Sequence, residues 1–181
     1  MILVLGGSSC GKSAYAEQIA CKLQPGEKWF VATLFPYDEE SQERVVRHQK
    51  QRAGQGFKTI ECYTNLQSLL PCSGQTIVLE CISNLVTNEM YMEGGANVQA
   101  VGRILGDVEK LKNECENLIV VTNDVFSDGI QYDYEMERYI HYLGEINFGL
   151  AEMADTVIEV VCGYPVVHKG SDPCRKNDDI E

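Results

Sequence analysis

Eight residues near the start of the chain have the types and spacing of a phosphate-binding loop. Four residues separate Gly6 from Gly11, and Lys12 and Ser13 follow directly. Glycines let the backbone curl so that successive N–H groups point at one anion, and the helix that follows adds its dipole. Lys12 would contact the β- and γ-phosphates, and the Ser13 hydroxyl would ligate Mg²⁺. We therefore predict that a nucleoside triphosphate is bound by Gly6, Gly7, Ser8, Ser9, Cys10, Gly11, Lys12 and Ser13; a chance glycine turn with an incidental lysine is the alternative.

A second group of candidate residues lies at helical spacing in a polar segment. Arg44, His48 and Arg52 follow one another at intervals of four, so on a helix they share one face. Arginines bind phosphate oxygens, and an imidazole can attack phosphorus or transfer a proton. The alternative is a solvated basic helix face on which the histidine has no role. The spacing alone does not choose between the two.

Composition limits the kinds of partner that the chain can have. Hydrophobic residues make up 44% and charged residues 23%, which is an ordinary globular mixture. The net charge of -12 argues against nucleic acid as the main partner, because binding a phosphate backbone needs a basic face. No apolar stretch approaches the roughly 20 residues of a membrane span. The eight cysteines include no Cys-x-x-Cys pair, so we expect reduced thiols in a cytoplasmic protein.

The candidate residues are carried by alternating apolar and helical segments, which is typical of a parallel α/β sheet. The phosphate loop joins a strand at 1–5 to a helix at 12–23. Further strands are predicted at 29–32, 57–62, 76–79, 118–121 and 156–161, an edge strand at 164–168, and helices at 39–52, 65–70, 82–92, 97–115 and 134–153. We predict an α/β fold with a P-loop NTPase-like, mostly parallel sheet flanked by helices. It forms one domain over 1–169, with a loose tail over 170–181.

Three further features of the sequence concern the site and the helix that follows the phosphate loop. Glu80 comes directly after the strand at 76–79, where P-loop proteins often place an acidic residue beside Mg²⁺; an ordinary strand-end carboxylate is the alternative. The chain has no base-reading Asn-Lys-x-Asp element, which favours a small-molecule kinase or nucleotidyltransferase over a regulatory GTPase. On the first helix, the spacing of apolar residues predicts an inner side formed by Ala14, Ala16, Ile19, Ala20 and Leu23.

Several short motifs also occur in a fixed order along residues 1–169. The phosphate loop is followed by Ala32-Thr33, by the Arg44, His48 and Arg52 pattern, by Glu61, by Leu79-Glu80-Cys81-Ile82, by Val121-Thr122-Asn123-Asp124-Val125, by Gly144 and Asn147, by Ala151, Ala154 and Asp155, and by Gly163-Tyr164-Pro165. In this order the motifs resemble those of the bifunctional adenosylcobinamide kinase/adenosylcobinamide-phosphate guanylyltransferase family of cobalamin biosynthesis.

The resemblance implies two reactions and a set of roles. Adenosylcobinamide would be phosphorylated from GTP or ATP, and GMP would then pass from GTP to that phosphate through a guanylylated His48. Lys12 and Mg²⁺ would offset charge on the triphosphate, and Ser13 and Glu80 would ligate the metal. The resemblance also implies a homotrimer. It implies a nucleotide site that includes Ala32, Thr33, Leu34, Arg44, Gln49, Lys50, Gln51, Arg52, Glu61 and Glu80.

One region departs from the family pattern. After Val125 the family usually continues Gly-x-Gly-Ile-Val-Pro-Glu, whereas this chain runs from Phe126 to Tyr132 without the Val-Pro-Glu portion. Family arginines and a glutamine on the next helix are replaced by Glu137, by Ile140-His141 and by Phe148. Three readings stay open: the bifunctional corrinoid enzyme, a kinase of another small hydroxylated acceptor, and a catalytically silent GTP-binding paralogue.

Overall fold

One seven-stranded sheet forms the centre of the fold in a computed structural model that describes residues 1–23, 26–125 and 132–175. The side chains of Glu40, Ser41, Arg44, Arg47, His48 and Gln51 lie outside this description. The strands are β1 (Ile2–Leu5), β2 (Lys28–Ala32), β3 (Phe57–Glu61), β4 (Thr76–Glu80), β5 (Asn117–Val121), β6 (Thr156–Val161) and β7 (Tyr164–Lys169). The helices are α1 (Lys12–Lys22), α2 (Glu39–Arg52), α3 (Ile82–Tyr91), α4 (Ala100–Glu114) and α5 (Tyr134–Met153).

The strands lie in the order β3-β2-β4-β5-β1-β6-β7. All neighbouring pairs are parallel except β6 and β7, which are antiparallel and place β7 at one edge. This confirms the predicted fold class and its edge strand near the C-terminus. Because β1 lies between β5 and β6, the loop that follows it opens near the middle of the sheet, where ligands of open α/β folds bind.

Two predicted helices differ in their detail. The segment predicted at 65–70 is a 3₁₀-helix over Leu66–Leu69, and the long helix predicted at 97–115 begins as a 3₁₀ turn over Asn97–Gln99 before α4. Asn97 has a left-handed backbone conformation with φ 52°. A residue in that conformation cannot belong to a regular α-helix, so α4 begins only at Ala100.

Alternate residues of the central strands pack on opposite faces of the sheet, as the two-residue period of a strand requires. One face is covered by α3, α4 and α5, and the other by α1. The first face buries Leu3, Val31, Ile77, Leu79, Leu118 and Val120. The second buries Val4, Phe30, Val78, Ile119 and Val121. This double cover explains why the strands read as continuous apolar runs.

The inner side of α1 is partly different from the predicted one. Ala16, Ile19 and Ala20 are buried as expected, but Ala14 is exposed, and Tyr15 and Glu17 are buried. Both of these polar side chains have partners that are distant in the sequence. The Tyr15 hydroxyl donates to Asp172 Oδ2, and Glu17 forms an ion pair with Arg52.

Residues 170–175, the described part of the predicted tail, lie against α1 and the β7 edge. Asp172 is buried, and its Oδ1 also accepts a hydrogen bond from Cys174 N at 2.8 Å. Lys22 Nζ donates to Cys174 O at 2.8 Å, and Arg175 Nη2 donates to Pro165 O at 2.8 Å. The prediction for 176–181 concerns residues outside the described ranges. Among the described helices, none combines the length and apolar character that a membrane crossing requires.

Candidate active site

A cleft of about 380 Å³ opens where the carboxyl ends of β2, β3, β4 and β5 meet the phosphate loop. Six predicted residues of the loop line it, from Ser8 to Ser13. Gly6 is buried below the loop and Gly7 is exposed beside it. Ala32, Leu34, Gln49, Arg52, Glu61 and Glu80 also line the cleft. The structure therefore brings together predicted residues that are separated by up to about seventy positions in the sequence.

The loop is shaped by its glycines and fastened at both ends. Gly6 has φ 149°, and a Cβ there would lie 2.5 Å from the Val160 carbonyl oxygen, so only glycine fits. Gly163 N donates to Cys10 O at 2.9 Å, which ties the loop to the turn between β6 and β7. Lys12 Nζ donates to the Gly7 carbonyl at 2.6 Å. The ammonium group thus lies over the loop, where an anion bound by the loop amides would meet it.

Ser13 and Glu80 form a short polar contact at the floor of the cleft. Ser13 Oγ donates to Glu80 Oε1 at 2.6 Å, while Glu80 Oε2 is buried and has no hydrogen-bond partner among the described residues. Burial raises the pKa of Glu80 to about 7, although the Ser13 hydrogen bond and the Lys12 charge act in the opposite direction. A buried carboxylate oxygen without a partner, next to a hydroxyl, is an oxygen donor set that fits Mg²⁺, which takes its remaining ligands from phosphates and water.

Thr33, predicted in the nucleotide site, lies behind the cleft wall. Its side chain is fully buried, and its hydroxyl oxygen is 3.0 Å from Glu80 O and 2.8 Å from Cys81 O. Cys81 N donates to the same hydroxyl at 2.8 Å, and Asn88 Nδ2 donates to Thr33 O at 2.8 Å. Thr33 therefore holds the backbone of Glu80 and Cys81 in place. It does not line the cleft.

The C-terminal end of α2 closes one side of the cleft. Arg52 is buried, its guanidinium carbon lies 3.4 Å from the centre of the Phe30 ring, and Nη1 lies 3.6 Å from Glu17 Oε1. Gln49 lines the cleft, whereas Lys50 is exposed and does not line it. The side chains of the predicted Arg44, His48 and Gln51 lie outside the described part of the structure.

The far end of the cleft is formed by β3 and the residue two positions beyond it. Thr59, Glu61 and Tyr63 line it, and the Tyr63 hydroxyl donates to Glu61 Oε2 at 2.8 Å. The Phe35 ring packs edge-on against Tyr63 with ring centres 5.0 Å apart. Sequence reasoning singled out Glu61 but missed Thr59 and Tyr63. The available signal was the two-residue period of a strand, which places Thr59 and Glu61 on one side of β3; Tyr63 follows at the same spacing.

Asn84 and Asn123 line the cleft near Glu80, and neither was predicted as a site residue. Asn123 Nδ2 donates to Ser83 Oγ at 2.6 Å, and Asn147 Nδ2 donates to Asn123 O at 3.2 Å. Asn123 follows β5 by two residues, so its position at a strand carboxyl end was the available signal. The segment that departs from the family pattern begins three residues later in the sequence, at Phe126, and its residues 126–131 are outside the described ranges.

The altered positions on α5 that the structure describes are turned towards solvent. Glu137, His141 and Phe148 are exposed, and Ile140 is half-buried. Phe148 exposes 68% of its surface. These four positions on α5 lie outside the cleft lining, so they take no part in the phosphate end of the site.

Comparison with known proteins gives consistent matches over nearly the whole chain. Residues 2–168 match the family described as cobinamide kinase/cobinamide phosphate guanyltransferase, CobU. The bifunctional adenosylcobalamin biosynthesis protein CobU of Salmonella typhimurium is 32% identical, over 92% of this chain and 98% of that protein. CobU of Escherichia coli is 28% identical with the same coverage, and CobP of Pseudomonas aeruginosa is 25% identical over 93% of this chain and 96% of its own length.

A solved structure supports the fold alone. The flagellar accessory protein FlaH from Methanocaldococcus jannaschii superposes with a TM-score of 0.50 at 13% identity, over 93% of this chain and 77% of FlaH. The family match and the Salmonella relative together cover the phosphate loop, α2 and the strands that carry Glu61 and Glu80. The chain therefore belongs to the cobinamide kinase/cobinamide phosphate guanyltransferase family, CobU.

Proposed function

We propose that this one cleft serves both activities of the family, with the phosphate loop holding the triphosphate and His48 carrying GMP between donor and acceptor. The chain is a cobinamide kinase and cobinamide phosphate guanylyltransferase through its family. One observation best supports these roles: a single cleft is lined by Lys12 and Ser13 at the phosphate loop and by Glu80, Arg52 and Glu61. A triphosphate on the loop would reach all of them.

In the first reaction, a hydroxyl oxygen of adenosylcobinamide attacks the γ-phosphorus of the donor. The bond from that phosphorus to the bridging oxygen breaks, the nucleoside diphosphate leaves, and the hydroxyl loses its proton. The loop amides and Lys12 stabilise the charge that spreads over the γ-phosphate oxygens. Lys12 Nζ, held at 2.6 Å by the Gly7 carbonyl, needs little movement to take a phosphate oxygen instead.

In the second reaction, an imidazole nitrogen of His48 attacks the α-phosphorus of GTP and pyrophosphate leaves. A phosphate oxygen of adenosylcobinamide phosphate then attacks the same phosphorus, and the phosphorus–nitrogen bond breaks to regenerate the imidazole. Histidine suits this role because it is a good nucleophile when neutral and a good leaving group from phosphorus. Arg44 and Arg52 would neutralise phosphate oxygens in both steps.

Mg²⁺ would be held by Ser13 and Glu80 with phosphate oxygens, and it would supply positive charge to the triphosphate. GTP is the donor for guanylylation, and GTP or ATP for phosphorylation. Glu61 would accept the adjacent N–H donors of guanine at the far end of the cleft. The proposed assembly is a cytoplasmic homotrimer that acts on a corrinoid and not on nucleic acid. The resemblance supports the assembly, the cysteine pattern supports the location, and the net charge of -12 supports the exclusion of nucleic acid.

The two reactions can be separated by two substitutions. Lys12→Ala should abolish phosphate transfer from a γ-labelled donor to adenosylcobinamide, whereas His48→Ala should leave that transfer within about twofold and stop formation of the GDP-linked product. Glu43→Gln, on the exposed side of α2, is the control and should retain both. If His48→Ala makes the GDP-linked product at the wild-type rate, the covalent route is wrong. If the wild type phosphorylates another alcohol but not adenosylcobinamide, the acceptor is wrong.

A further inference from the structure

Glu17 and Arg52 form a buried ion pair between the helix that follows the phosphate loop and the end of α2. Their closest atoms, Arg52 Nη1 and Glu17 Oε1, are 3.6 Å apart, and their side chains are 5% and 8% exposed, respectively. Glu17 lies one helical turn after Ser13 on α1. Of the α2 side chains that the structure describes, Arg52 alone is buried. The pair is therefore the described contact that anchors α2 to the phosphate-binding helix.

The contacts of Arg52 leave part of its hydrogen-bonding capacity unused. The face of the guanidinium group lies on the Phe30 ring, with 3.4 Å between the guanidinium carbon and the ring centre. Nε and Nη1 are buried and have no hydrogen-bond partner among the described residues, although Arg52 lines the cleft. Buried donors without partners are costly, so a site that keeps them is built to receive an acceptor.

Glu17 compensates the charge of Arg52 from a distance at which it forms no ordinary hydrogen bond with Nη1. Removing both groups from water is costly, and burial accordingly raises the pKa of Glu17 and lowers the pKa of Arg52. Each group favours the charged form of the other. At 3.6 Å the carboxylate is near enough to attract the guanidinium group but beyond ordinary hydrogen-bond length. Nε and Nη1 thus carry no hydrogen bond, on a side chain that lines the cleft in which an anion would bind.

We propose that Glu17 is a positioning residue, which holds the Arg52 guanidinium group on Phe30 at the wall of the cleft, where it binds a phosphate of the nucleotide, and which fastens the end of α2 to α1. The inference rests on the proposed function, because it takes a nucleoside triphosphate as the anion. It adds a link between the phosphate loop and the helix that carries His48. The sequence analysis did not single out Glu17, because its partner Arg52 lies on another helix.

A double-mutant cycle on nucleotide binding tests this role. Glu17→Gln keeps the size of the side chain and removes its charge, and we expect it to weaken binding of Mg²⁺ and a non-hydrolysable GTP analogue about tenfold. Arg52→Gln should weaken binding at least as much, and the double variant no more than Arg52→Gln alone. Glu43→Gln on the exposed side of α2 is the matched control and should bind as the wild type does. Full affinity in Glu17→Gln would overturn the proposal, and so would additive losses in the double variant.

A merely structural role is distinguished by kinetics and by a second variant. With saturating donor, phosphorylation by Glu17→Gln should keep its kcat within about twofold while the KM for GTP rises about tenfold. An equal fall of kcat and stability at unchanged KM would show that Glu17 only supports the fold. If Glu17→Gln does not fold, Glu17→Asp is used instead. It retains the charge, so we expect a smaller rise in the KM for GTP, and an unchanged KM overturns the proposal.

Failure of the proposed function is seen in a different experiment. Absence of label on the wild type after incubation with α-labelled GTP contradicts the His48 mechanism, while the double-mutant cycle on nucleotide binding still decides the role of Glu17.

Discussion

Replacing Glu80 by glutamine should remove a pH dependence from the stability of the nucleotide-free enzyme. Glu80 is half-buried at the floor of the cleft, its Oε2 atom is buried without a hydrogen-bond partner among the described residues, and desolvation raises its pKa from 4.5 to about 7. The folded state therefore holds a proton that the unfolded state releases. Such a group favours folding fully below the unfolded pKa, and this contribution is lost as pH rises through the folded pKa.

The size of the effect follows from the shift. A change from 4.5 to about 7 corresponds to about 3 kcal/mol at high pH, of which about 2 to 3 kcal/mol falls between about pH 5 and about pH 8. The wild type should lose that much unfolding free energy over this range relative to Glu80→Gln. The constant cost of burying the amide is the same at both pH values, so it cancels in the comparison.

Urea denaturation in the presence of a chelator, at both pH values, measures this difference. Glu43→Gln, an exposed change on α2, is the control and should follow the wild type. If the unfolding free energies of the wild type and Glu80→Gln depend equally on pH, the reasoning is refuted, because the ionised Glu80 carboxylate then does not destabilise the folded state. The same variant should lose roughly two to three orders of magnitude in kcat for both transfers, because charge compensation at the phosphates is weakened.

Three further substitutions test the supports of the site. Gly6→Ala should abolish GTP binding in calorimetry, because the added Cβ would lie 2.5 Å from the Val160 carbonyl oxygen; retained binding would show that the loop relaxes. Tyr15→Phe should lower the unfolding free energy by about 1 to 3 kcal/mol, since Asp172 loses a buried donor; a change below about 0.5 kcal/mol would mean that this contact adds no stability. Asp133→Ala removes the cap that accepts from the backbone N–H of Met136, and it should cost about 1 kcal/mol in the same denaturation assay, with an unchanged midpoint contradicting the cap.

The apolar runs and the helical periods predicted the strands and helices, because both are local properties of the sequence. They did not predict that β1 lies between β5 and β6, since a strand buried on both faces gives no sign of its neighbours. The same local reasoning identified Ser13 and Glu80, which follow a loop motif and a strand end. Their hydrogen bond of 2.6 Å depends on the packing of α1 on β4 and could only come from the structure.

Two side chains on α1 that were expected neither in the core nor in the site have partners far away in the sequence. Glu17 is buried only because Arg52 reaches it from α2, and the Tyr15 hydroxyl is satisfied only by Asp172 near the C-terminus. Thr33 was assigned to the nucleotide through the resemblance, yet its hydroxyl is used by the backbone at Glu80 and Cys81. Motif order locates a site but does not separate side chains that line it from those that support it.

Covalent labelling of the protein by GTP tests the central claim most directly. The purified wild type is incubated with Mg²⁺ and GTP labelled at the α-phosphate, and the labelled peptide is identified by mass spectrometry. We predict acid-labile, base-stable label of about one GMP per chain on His48, no label on His48→Ala, and discharge on addition of adenosylcobinamide phosphate. Label that persists in His48→Ala, or a wild type that forms the GDP-linked product without ever carrying label, would contradict the account.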